Sequence, residues 1–484
     1  MDNTANSSAM NRIKQLLDEK SFVEIGAKIT SRNTDFNLQS EETPADGVVT
    51  GYGTVFGRLV YVYSQDSAVL GGSVGEMHAK KIVNLYKMAR KVGAPIVGLI
   101  DCAGLRLQEA TDALHAFGTL YMNQTLTSGI VPQISALFGV CGGGMAIVPA
   151  LSDFSFMESK SAKLFVNSPN ALENNSADKN NTATAAYQSA QTGLVDRIGD
   201  EATILSEIQT LLSILPDHYK DGTIVEECND DLNRLCDTLA GALKDPAIAL
   251  SLISDQNFFF EVKKEYAKEM VAGFIKLNGM TIGAVANRSA LYNAEGEMAE
   301  QFNTALTTKG CEKAADFVRF CDAFDIPVLS LTDVSGYEAT IESENGIAKA
   351  SAKLVYAFAN ATIPKVNIIT GEAIGTAALA MNSKAIGADL TFAYETSKFG
   401  MMDGNLAARI MYEKELQENE NPATLLNEKA NAYNELQLSA ASAARRGYVD
   451  EIIEIMDTRK KAIAAFEMLY TKQEKHPNKK HGTV

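Results

Sequence analysis

Two glycine-rich turns are the parts of this sequence best suited to chemistry. One follows the apolar run QISALFGV at 133–140, and the other follows VNIITGEAI at 366–374. Glycines let backbone N–H groups approach a ligand without an obstructing Cβ, and a following helix adds the positive end of its dipole. Such a turn can form an oxyanion hole, although tight helix–sheet packing also uses glycine. The residues of the two turns are Gly142, Gly143, Gly144, Gly375, Thr376 and Ala377.

The two turns belong to a sequence unit that occurs twice. PIVGLIDCAG, which begins at Pro95, matches PVLSLTDVSG, which begins at Pro327. The segments that begin at Pro132 and Pro364 are separated by the same interval, and this repeat offset continues through both turns. A shared offset across several apolar strands indicates an internal duplication. We therefore expect two similar domains and a reaction that uses both turns.

Two further loops follow the carboxyl ends of apolar strands, where open parallel sheets bind ligands. They read DCAGLRLQEA at 101–110 and DVSGYEATIE at 333–342. Arg106 is the only cation of the first loop. It could face a phosphate or a carboxylate, or it could pair with Glu109, and the sequence leaves both options open.

A third loop, GGS at 71–73, precedes a predicted helix whose early turns carry Lys80 and Lys81. A helix start of this kind suits a phosphate group. A solvated basic face explains the two lysines as well, so this signal is weak by itself.

Composition and charge disfavour several classes of function. The chain has 484 residues, 46% hydrophobic and 21% charged, which is typical of globular proteins. Its net charge of −16 disfavours nucleic acid as a partner, because phosphate binding needs a basic surface. Six scattered cysteines without a C-x-x-C pair indicate neither a metal site nor a disulfide framework. No signal sequence and no apolar run of about 18 residues is found, so we expect a cytoplasmic protein.

Several common catalytic patterns are absent from the sequence. It contains no H-E-x-x-H and no Walker A motif, and it has only five histidines. A general base built on histidine is therefore disfavoured.

The order of elements predicts an α/β fold with mostly parallel strands, because strands alternate with helices of about ten or more residues. The acidic, turn-rich stretch 229–248 is the predicted linker between an N-terminal domain, 1–228, and a C-terminal domain, 249–484. Helical spacing and stop signals predict helices at 75–92, 108–127, 311–325 and 346–361.

Longer motifs along nearly the whole chain are specific in combination. The first half contains ADGVVTGYG, SQDSAVLGGS and SGIVPQISALFGVCGGG, and the second contains KAADFVRFCDAFDIPVL, ARRGYVDEII and KHPNKKHG. Together they resemble the carboxyltransferase subunits of biotin-dependent acyl-CoA carboxylases and decarboxylases. The likeness is to the propionyl-CoA carboxylase beta and methylmalonyl-CoA decarboxylase alpha type.

The resemblance implies a fold and an assembly. The family has two crotonase/ClpP-like ββα-superhelix domains, which agrees with the internal duplication. Its subunits form hexamers, built as trimers of dimers. The active site lies between the N-domain of one subunit and the C-domain of its partner.

The resemblance also implies a chemistry that needs no histidine. The family transfers a carboxyl group between biotin and a short-chain acyl-CoA, biotin acts as its own base, and the protein stabilises two enolate oxygens. The implied thioester-side donors are Gly143 and Gly144, with Gly142 adjoining. The implied biotin-side donors are Thr376 and Ala377, with Gly375 before them.

The same likeness assigns the surrounding loops. The implied acyl-CoA cradle consists of Gly71, Gly72, Ser73, Ala103, Gly104, Leu105 and Arg106. The implied biotin wall consists of Ser335, Gly336 and Tyr337. Biotin must arrive on another protein, because the chain has no biotinyl A-M-K-M site and no ATP-binding carboxylase portion. The implied partners are a biotin carrier protein and either a biotin carboxylase or a membrane decarboxylase subunit, the latter placing the chain beside a membrane.

Departures from the family pattern keep two alternatives open. The family's R-K-A-Y-G-G-A-Y reads GEAIGTAA here, so Gly371 and Glu372 replace an arginine and a lysine. Leu379 stands where many propionyl-type members have an acid. One alternative is a crotonase-like CoA hydratase or isomerase with Glu109 as its acid. The other is a non-catalytic scaffold paralogue.

Overall fold

The computed structural model describes residues 7–36, 42–173 and 181–476. Residues 477–484, which complete the KHPNKKHG motif, lie outside the described residues. The chain divides into two compact units, Met1–Gly222 and Thr223–Val484.

The described part of the first unit contains one eight-stranded sheet in the order β1-β2-β3-β4-β5-β6-β8, with β7 paired to β5. The strands are β1 (Val23–Glu24), β2 (Val48–Val55), β3 (Arg58–Gln65), β4 (Ile96–Cys102), β5 (Gln133–Gly142), β6 (Phe154–Glu158), β7 (Lys163–Phe165) and β8 (Arg197–Gly199). The helices are α1 (Ser8–Leu16), α2 (Glu76–Val92), α3 (Ala110–Thr125), α4 (Ile147–Ala150), α5 (Ala185–Tyr187) and α6 (Glu201–Ile214).

The second unit repeats this sheet in the order β9-β10-β11-β15-β17-β18-β20, with β19 paired to β17. Its strands are β9 (Phe259–Val262), β10 (Met270–Leu277), β11 (Met280–Asn287), β12 (Ala290–Tyr292), β13 (Met298–Gln301), β14 (Ala305–Leu306), β15 (Val328–Val334), β16 (Gly336–Tyr337), β17 (Lys365–Ile374), β18 (Leu390–Ala393), β19 (Lys398–Gly400) and β20 (Glu451–Ile452). Its helices are α7 (Leu239–Ala242), α8 (Pro246–Ile253), α9 (Thr308–Ala323), α10 (Ile341–Glu344), α11 (Ile347–Asn360), α12 (Gly375–Ala380), α13 (Gly404–Met411), α14 (Glu413–Glu418), α15 (Pro422–Tyr433), α16 (Ala440–Arg445) and α17 (Thr458–Leu469).

The predicted duplication is confirmed by element bounds as well as by sheet order. β4 and β15 both begin and end at positions related by the repeat offset, and so do β5 and β17. β4 and β15 are almost entirely buried, which explains why they read as continuous apolar runs rather than as alternating ones.

The four predicted helices are confirmed, with small differences at their ends. α2 stops where expected, because Gly93 takes a left-handed conformation at its C-terminus with φ of 79°, and Pro95 follows. The observed helices are α2, α3, α9 and α11.

The division between the units differs from the predicted one. It falls between Gly222 and Thr223 rather than at a linker after residue 228. The predicted linker is packed into the second unit: the Cys236 N–H donates to the Met456 carbonyl at 2.9 Å, and Leu239 is buried. The acidic composition was misleading because a few apolar side chains are enough to anchor this stretch.

Candidate active site

The first turn begins with two glycine N–H groups at the end of β5. β5 ends at Gly142, and a 3₁₀ turn from Gly143 to Ala146 leads into α4. The N–H groups at the start of a helix have no acceptor within that helix, and Gly143 and Gly144 are the first two residues of this turn. Gly143 has φ of 59°, and among the described residues no atom beyond Gly143 and its chain neighbours lies within 4 Å of the place where its Cβ would be. A side chain at 143 would therefore be strained and would project into open space.

The second turn repeats this arrangement. α12 begins at Gly375 with φ of 68°, directly after β17, so the N–H groups of Gly375, Thr376 and Ala377 open the helix. The positive φ of the first glycine turns the chain from the strand into the helix in both units. In each unit, an equivalent strand is therefore followed by backbone N–H groups that can stabilise negative charge on a ligand oxygen.

The structure brings all six residues predicted for the biotin side into one cavity of about 500 Å³. They are Ser335, Gly336, Tyr337, Gly375, Thr376 and Ala377. An ion pair that the sequence did not reveal also lines this cavity: Lys398 Nζ lies 3.0 Å from Glu372 Oε1, on the neighbouring strands β19 and β17.

The loops of the first unit that were predicted to bind acyl-CoA are joined by backbone hydrogen bonds. Ala103 N–H donates to the Gly71 carbonyl at 3.0 Å, and Val74 N–H donates to the Gly104 carbonyl at 2.9 Å. A Cβ on Gly104 would lie 3.0 Å from the Gly142 carbonyl. Loops 71–73 and 103–106 therefore meet beside the first turn, an arrangement in keeping with the single cradle that the resemblance implied.

The equivalent loops of the second unit are joined in the same way. Ser335 N–H donates to the Thr304 carbonyl at 2.8 Å, and Glu338 N–H donates to the Leu306 carbonyl at 3.0 Å. In the first unit, the Arg106 N–H donates to the Val74 carbonyl at 3.0 Å. Loop 335–337 of the second unit is thus the structural counterpart of loop 103–105 of the first.

Arg106 does not present a cation to solvent, which corrects one of the two options that the sequence left open. Its side chain is completely buried, and Nη1 lies 2.5 Å from Asp46 Oδ1 and 2.8 Å from Glu109 Oε1. Nη2 donates to the Ser73 carbonyl at 2.7 Å. Arg106 therefore holds loops 71–73 and 103–106 together instead of facing a phosphate. Burial raises the pKa of Asp46, and the charge of Arg106 opposes that shift.

Glu109 is similarly occupied. Oε1 pairs with Arg106, and Oε2 accepts the Glu76 N–H at 2.6 Å, with the residue 3% exposed. A carboxylate held by two donors in this way is not free to exchange a proton with a substrate. This geometry disfavours the hydratase alternative.

The basic face predicted at the start of α2 is only partly confirmed. Lys80 is exposed and pairs with Glu76 at 2.6 Å. Lys81 is buried and donates to the Ala45 carbonyl at 2.7 Å, and burial lowers the pKa of Lys81 to about 8. Lys81 therefore stabilises the backbone at Ala45 and is not part of a solvated basic face.

Two aspartates beside the turns were missed in the sequence. Asp101 and Asp333 lie near the ends of β4 and β15, at positions related by the repeat offset. A Cβ on Gly139 would lie 2.0 Å from Asp101 Oδ1, and one on Gly371 would lie 2.4 Å from Asp333 Oδ1. Glycine at 371 therefore makes room for a carboxylate. The signal was present in the repeat, which places both glycines and both aspartates at one offset.

Neither a metal cluster nor a membrane-spanning helix occurs in the described ranges. Among those residues, no group of three or more His, Cys, Asp or Glu is arranged to hold a metal ion. No helix within the same ranges combines the length and apolarity needed to cross a membrane.

Comparison with known proteins identifies the family of this chain. The carboxyl transferase domain model matches residues 3–484, so the chain belongs to the carboxyl transferase family. Methylmalonyl-CoA decarboxylase subunit alpha of Propionigenium modestum is 37% identical over 99% of this chain and 93% of its own length. The propionyl-CoA carboxylase beta chain of Roseobacter denitrificans has the same identity and coverage.

A solved structure extends the comparison to the fold. The transcarboxylase 12S protein, crystallised with methylmalonyl-CoA and methylmalonic acid bound, matches with a TM-score of 0.92 and 34% identity over 98% of this chain and 91% of that chain. The predicted pair of crotonase-like domains is thereby confirmed, and the chain is an enzyme of the carboxyltransferase class.

Proposed function

We propose that this chain transfers a carboxyl group between biotin on a separate carrier protein and a short-chain acyl-CoA of the propionyl or methylmalonyl type. The observation that carries the proposal is the repeated turn, in which a glycine at positive φ opens a helix at the end of an equivalent strand in both units. Two relatives are named for acyl-CoA carboxylation or decarboxylation, which supports this substrate class.

The first turn serves the thioester. Gly143 and Gly144 donate their N–H groups to the thioester oxygen as charge builds on it, and loops 71–73 and 103–105 cradle the acyl-CoA. Arg106 anchors these loops by its hydrogen bond to the Ser73 carbonyl and its ion pairs with Asp46 and Glu109. Donors already in place before the reaction cost no reorganisation, and one such donor contributes roughly 2.7–4 kcal/mol.

The second turn serves the biotin ring. The cavity of about 500 Å³ is of the size of a small-molecule site, and Thr376 and Ala377 line it with the wall 335–337. These donors fit a ureido oxygen that gains negative charge. Biotin, when bound there, supplies the carboxyl group and the base, which agrees with a Glu109 carboxylate that is already occupied by Arg106.

The assembly and partners follow from the same relatives. The transcarboxylase 12S structure is described as a hexamer in a multienzyme core, which supports a hexameric trimer of dimers here. We expect the N-terminal unit of one subunit to face the C-terminal unit of its partner. We further expect a cytoplasmic protein that binds a biotin carrier and either a biotin carboxylase or a membrane decarboxylase subunit.

A decarboxylation assay tests this function. The purified protein is mixed with methylmalonyl-, malonyl- or glutaconyl-CoA, with and without free biotin, and carbon dioxide release is measured. We expect biotin-dependent release from at least one of these thioesters. Tight binding of a carrier without any release would contradict the proposal and favour a scaffold.

The hydratase alternative has its own control. Crotonyl-CoA hydration is measured with the wild type and with Glu109→Gln. We expect no hydration in either protein, because the Glu109 carboxylate is already held by Arg106 and by the Glu76 N–H. Hydration that disappears in the variant would support the hydratase instead.

A further inference from the structure

The first turn has a side-chain anchor that none of its assigned residues supplies. Tyr121, on α3, places its phenolic oxygen 2.5 Å from the Gly144 carbonyl oxygen. The same carbonyl accepts the N–H of Ile147, which closes the 3₁₀ turn. The Gly144 carbonyl is therefore held by two donors, one from the turn itself and one from α3.

The phenol and the glycine fit each other closely. A Cβ on Gly144 would lie 2.9 Å from the Tyr121 oxygen and 3.6 Å from the Phe117 ring. The Phe117 and Tyr121 rings pack with their centroids 5.8 Å apart, which fixes the direction of the phenol. Burial raises the pKa of Tyr121, so its hydroxyl stays protonated and keeps donating to the carbonyl.

The second turn differs at the position that corresponds to this anchor. The repeat offset relates Tyr121 to Lys353, whose Nζ pairs with Glu312 at 2.8 Å instead of reaching a turn carbonyl. The backbone explains this difference. The first turn has three consecutive glycines, which leave the chain free to adopt many conformations, whereas Thr376 and Ala377 restrict the second turn through their own Cβ atoms.

We propose that Tyr121 is a positioning residue, whose phenol fixes the Gly144–Met145 peptide and so restrains the two glycine peptides before it, keeping the Gly143 and Gly144 N–H groups directed at the thioester oxygen. The thioester in this statement rests on the proposed function, while the fixing of the turn does not. An oxyanion hole accelerates a reaction because its donors are oriented beforehand. Loss of the anchor should therefore lower the rate of turnover more than the affinity for acyl-CoA.

Tyr121→Phe tests this role, because it removes one hydroxyl and keeps the ring packed against Phe117. We expect kcat for biotin-dependent decarboxylation to fall about tenfold, with KM for the acyl-CoA changed less than about twofold. Hydrogen exchange in the segment 138–147 should become faster. 3-Fluorotyrosine at 121 keeps the hydroxyl and should restore the rate.

Tyr394→Phe is the matched control. Tyr394 is buried in the second unit, and its hydroxyl lies 2.8 Å from Thr458 Oγ1, so this variant also loses one phenolic hydrogen bond. We expect its kcat and the exchange of segment 138–147 to match the wild type. If both variants lower kcat and stability alike, the Tyr121 phenol is merely structural and the proposal is overturned.

Failure of the proposed function can be told apart from failure of this inference. If the wild type decarboxylates no acyl-CoA, the proposed function fails, and the exchange measurement alone decides on Tyr121. Faster exchange in segment 138–147 of Tyr121→Phe supports the anchor in that case. Unchanged exchange, or an unchanged kcat in an active enzyme, overturns it.

Discussion

The two units share a backbone plan but differ in the side chains around their turns. The first turn is a run of three glycines anchored by Tyr121, whereas the second has a single glycine and lies in a cavity with the Lys398–Glu372 ion pair. Because the strands, the offset and the positive φ agree, the differences show what the side chains add. The backbone plan supplies donors for negative charge, and the side chains determine how each set is held.

The aspartates beside the turns show the same divergence. The Asp101 carboxylate accepts the Ser67 hydroxyl at 2.8 Å and lies 3.6 Å from the Arg12 guanidinium. The Asp333 carboxylate accepts the Glu372 N–H at 2.8 Å, and burial raises the pKa of Asp333, with the Glu372 charge adding to the shift. The duplication has therefore kept the position of this carboxylate but not its electrostatic surroundings.

The largest difference between the units should appear in stability when Arg106, which holds loops 71–73 and 103–106 together, is replaced. Arg106→Met leaves the Asp46 and Glu109 carboxylates buried without their cation. We expect the free energy of unfolding of the first unit to fall by about 3–5 kcal/mol, as measured by urea denaturation with hydrogen exchange in each unit.

Glu338→Gln is the control in the second unit, because the repeat offset relates Glu338 to Arg106 and Glu338 is only partly buried. It should change the free energy of unfolding by less than about 0.5 kcal/mol. A loss below about 1 kcal/mol in Arg106→Met would mean that the network is solvated and does not hold the loops.

A smaller difference between the units should appear in how their stability depends on pH. Asp153 and Asp389 accept the first N–H of the central strands, from Gln133 and Lys365, each at 2.8 Å. Burial raises the pKa of Asp153 to about 7, whereas Asp389 also pairs with Lys472 at 2.9 Å. Because the folded state holds its proton more tightly than the unfolded chain, Asp153 contributes stability below about pH 4 that is lost as the pH rises through about 7.

Asp153→Asn should therefore gain stability relative to the wild type as the pH is raised from 5 to 8. The urea midpoint of each protein at both pH values measures this change. Asp389→Asn, which loses its ion pair with Lys472, should show no such gain. An equal response of the two variants would contradict the difference between the units.

The smallest effect is expected from the ion pair in the cavity. Lys398→Gln leaves the Glu372 carboxylate unpaired beside the second turn, where it repels the carboxyl group that is transferred. We expect KM for free biotin to rise. The rise should not exceed about fivefold, because both side chains are partly exposed and solvent screens their charges. The double variant Lys398→Gln, Glu372→Gln should return KM close to the wild-type value.

Lys163→Gln serves as the control, since Lys163 has the same register on β7 but faces Val140 instead of a glutamate. It should leave KM for biotin unchanged. If it raises KM as much as Lys398→Gln does, the effect is a general loss of positive charge and not a property of the cavity.

The sequence predicted the turns and loops well, because they depend on local patterns that the repeat shows twice. Apolar strands, glycines and helix stops are readable along the chain, and a common offset identifies Gly143 with Gly375. The resemblance to the carboxyltransferase family, rather than the repeat, implied that loops 71–73 and 103–106 would lie together. These features require no knowledge of distant side chains.

Contacts between distant residues could not be predicted in this way. Arg106 reaches Asp46, which lies in a turn where Ala45 and Asp46 take positive φ values of 53° and 50°. Nothing local at Arg106 distinguishes a buried pair from an exposed cation. The bond from Tyr121 to Gly144 likewise depends on how α3 packs against the turn.

The central claim is that the N–H groups of the first turn stabilise negative charge that builds on the substrate oxygen during turnover. Gly143→Leu tests this claim most directly. Its control is Gly57→Leu, since Gly57 also has positive φ, 76° against 59°, and open space around its missing Cβ. Both variants should lose about 1–2 kcal/mol of folding free energy from backbone strain. We predict that decarboxylation by Gly143→Leu falls about 100-fold or more while Gly57→Leu stays close to the wild type. Equal turnover in the two variants would contradict the account.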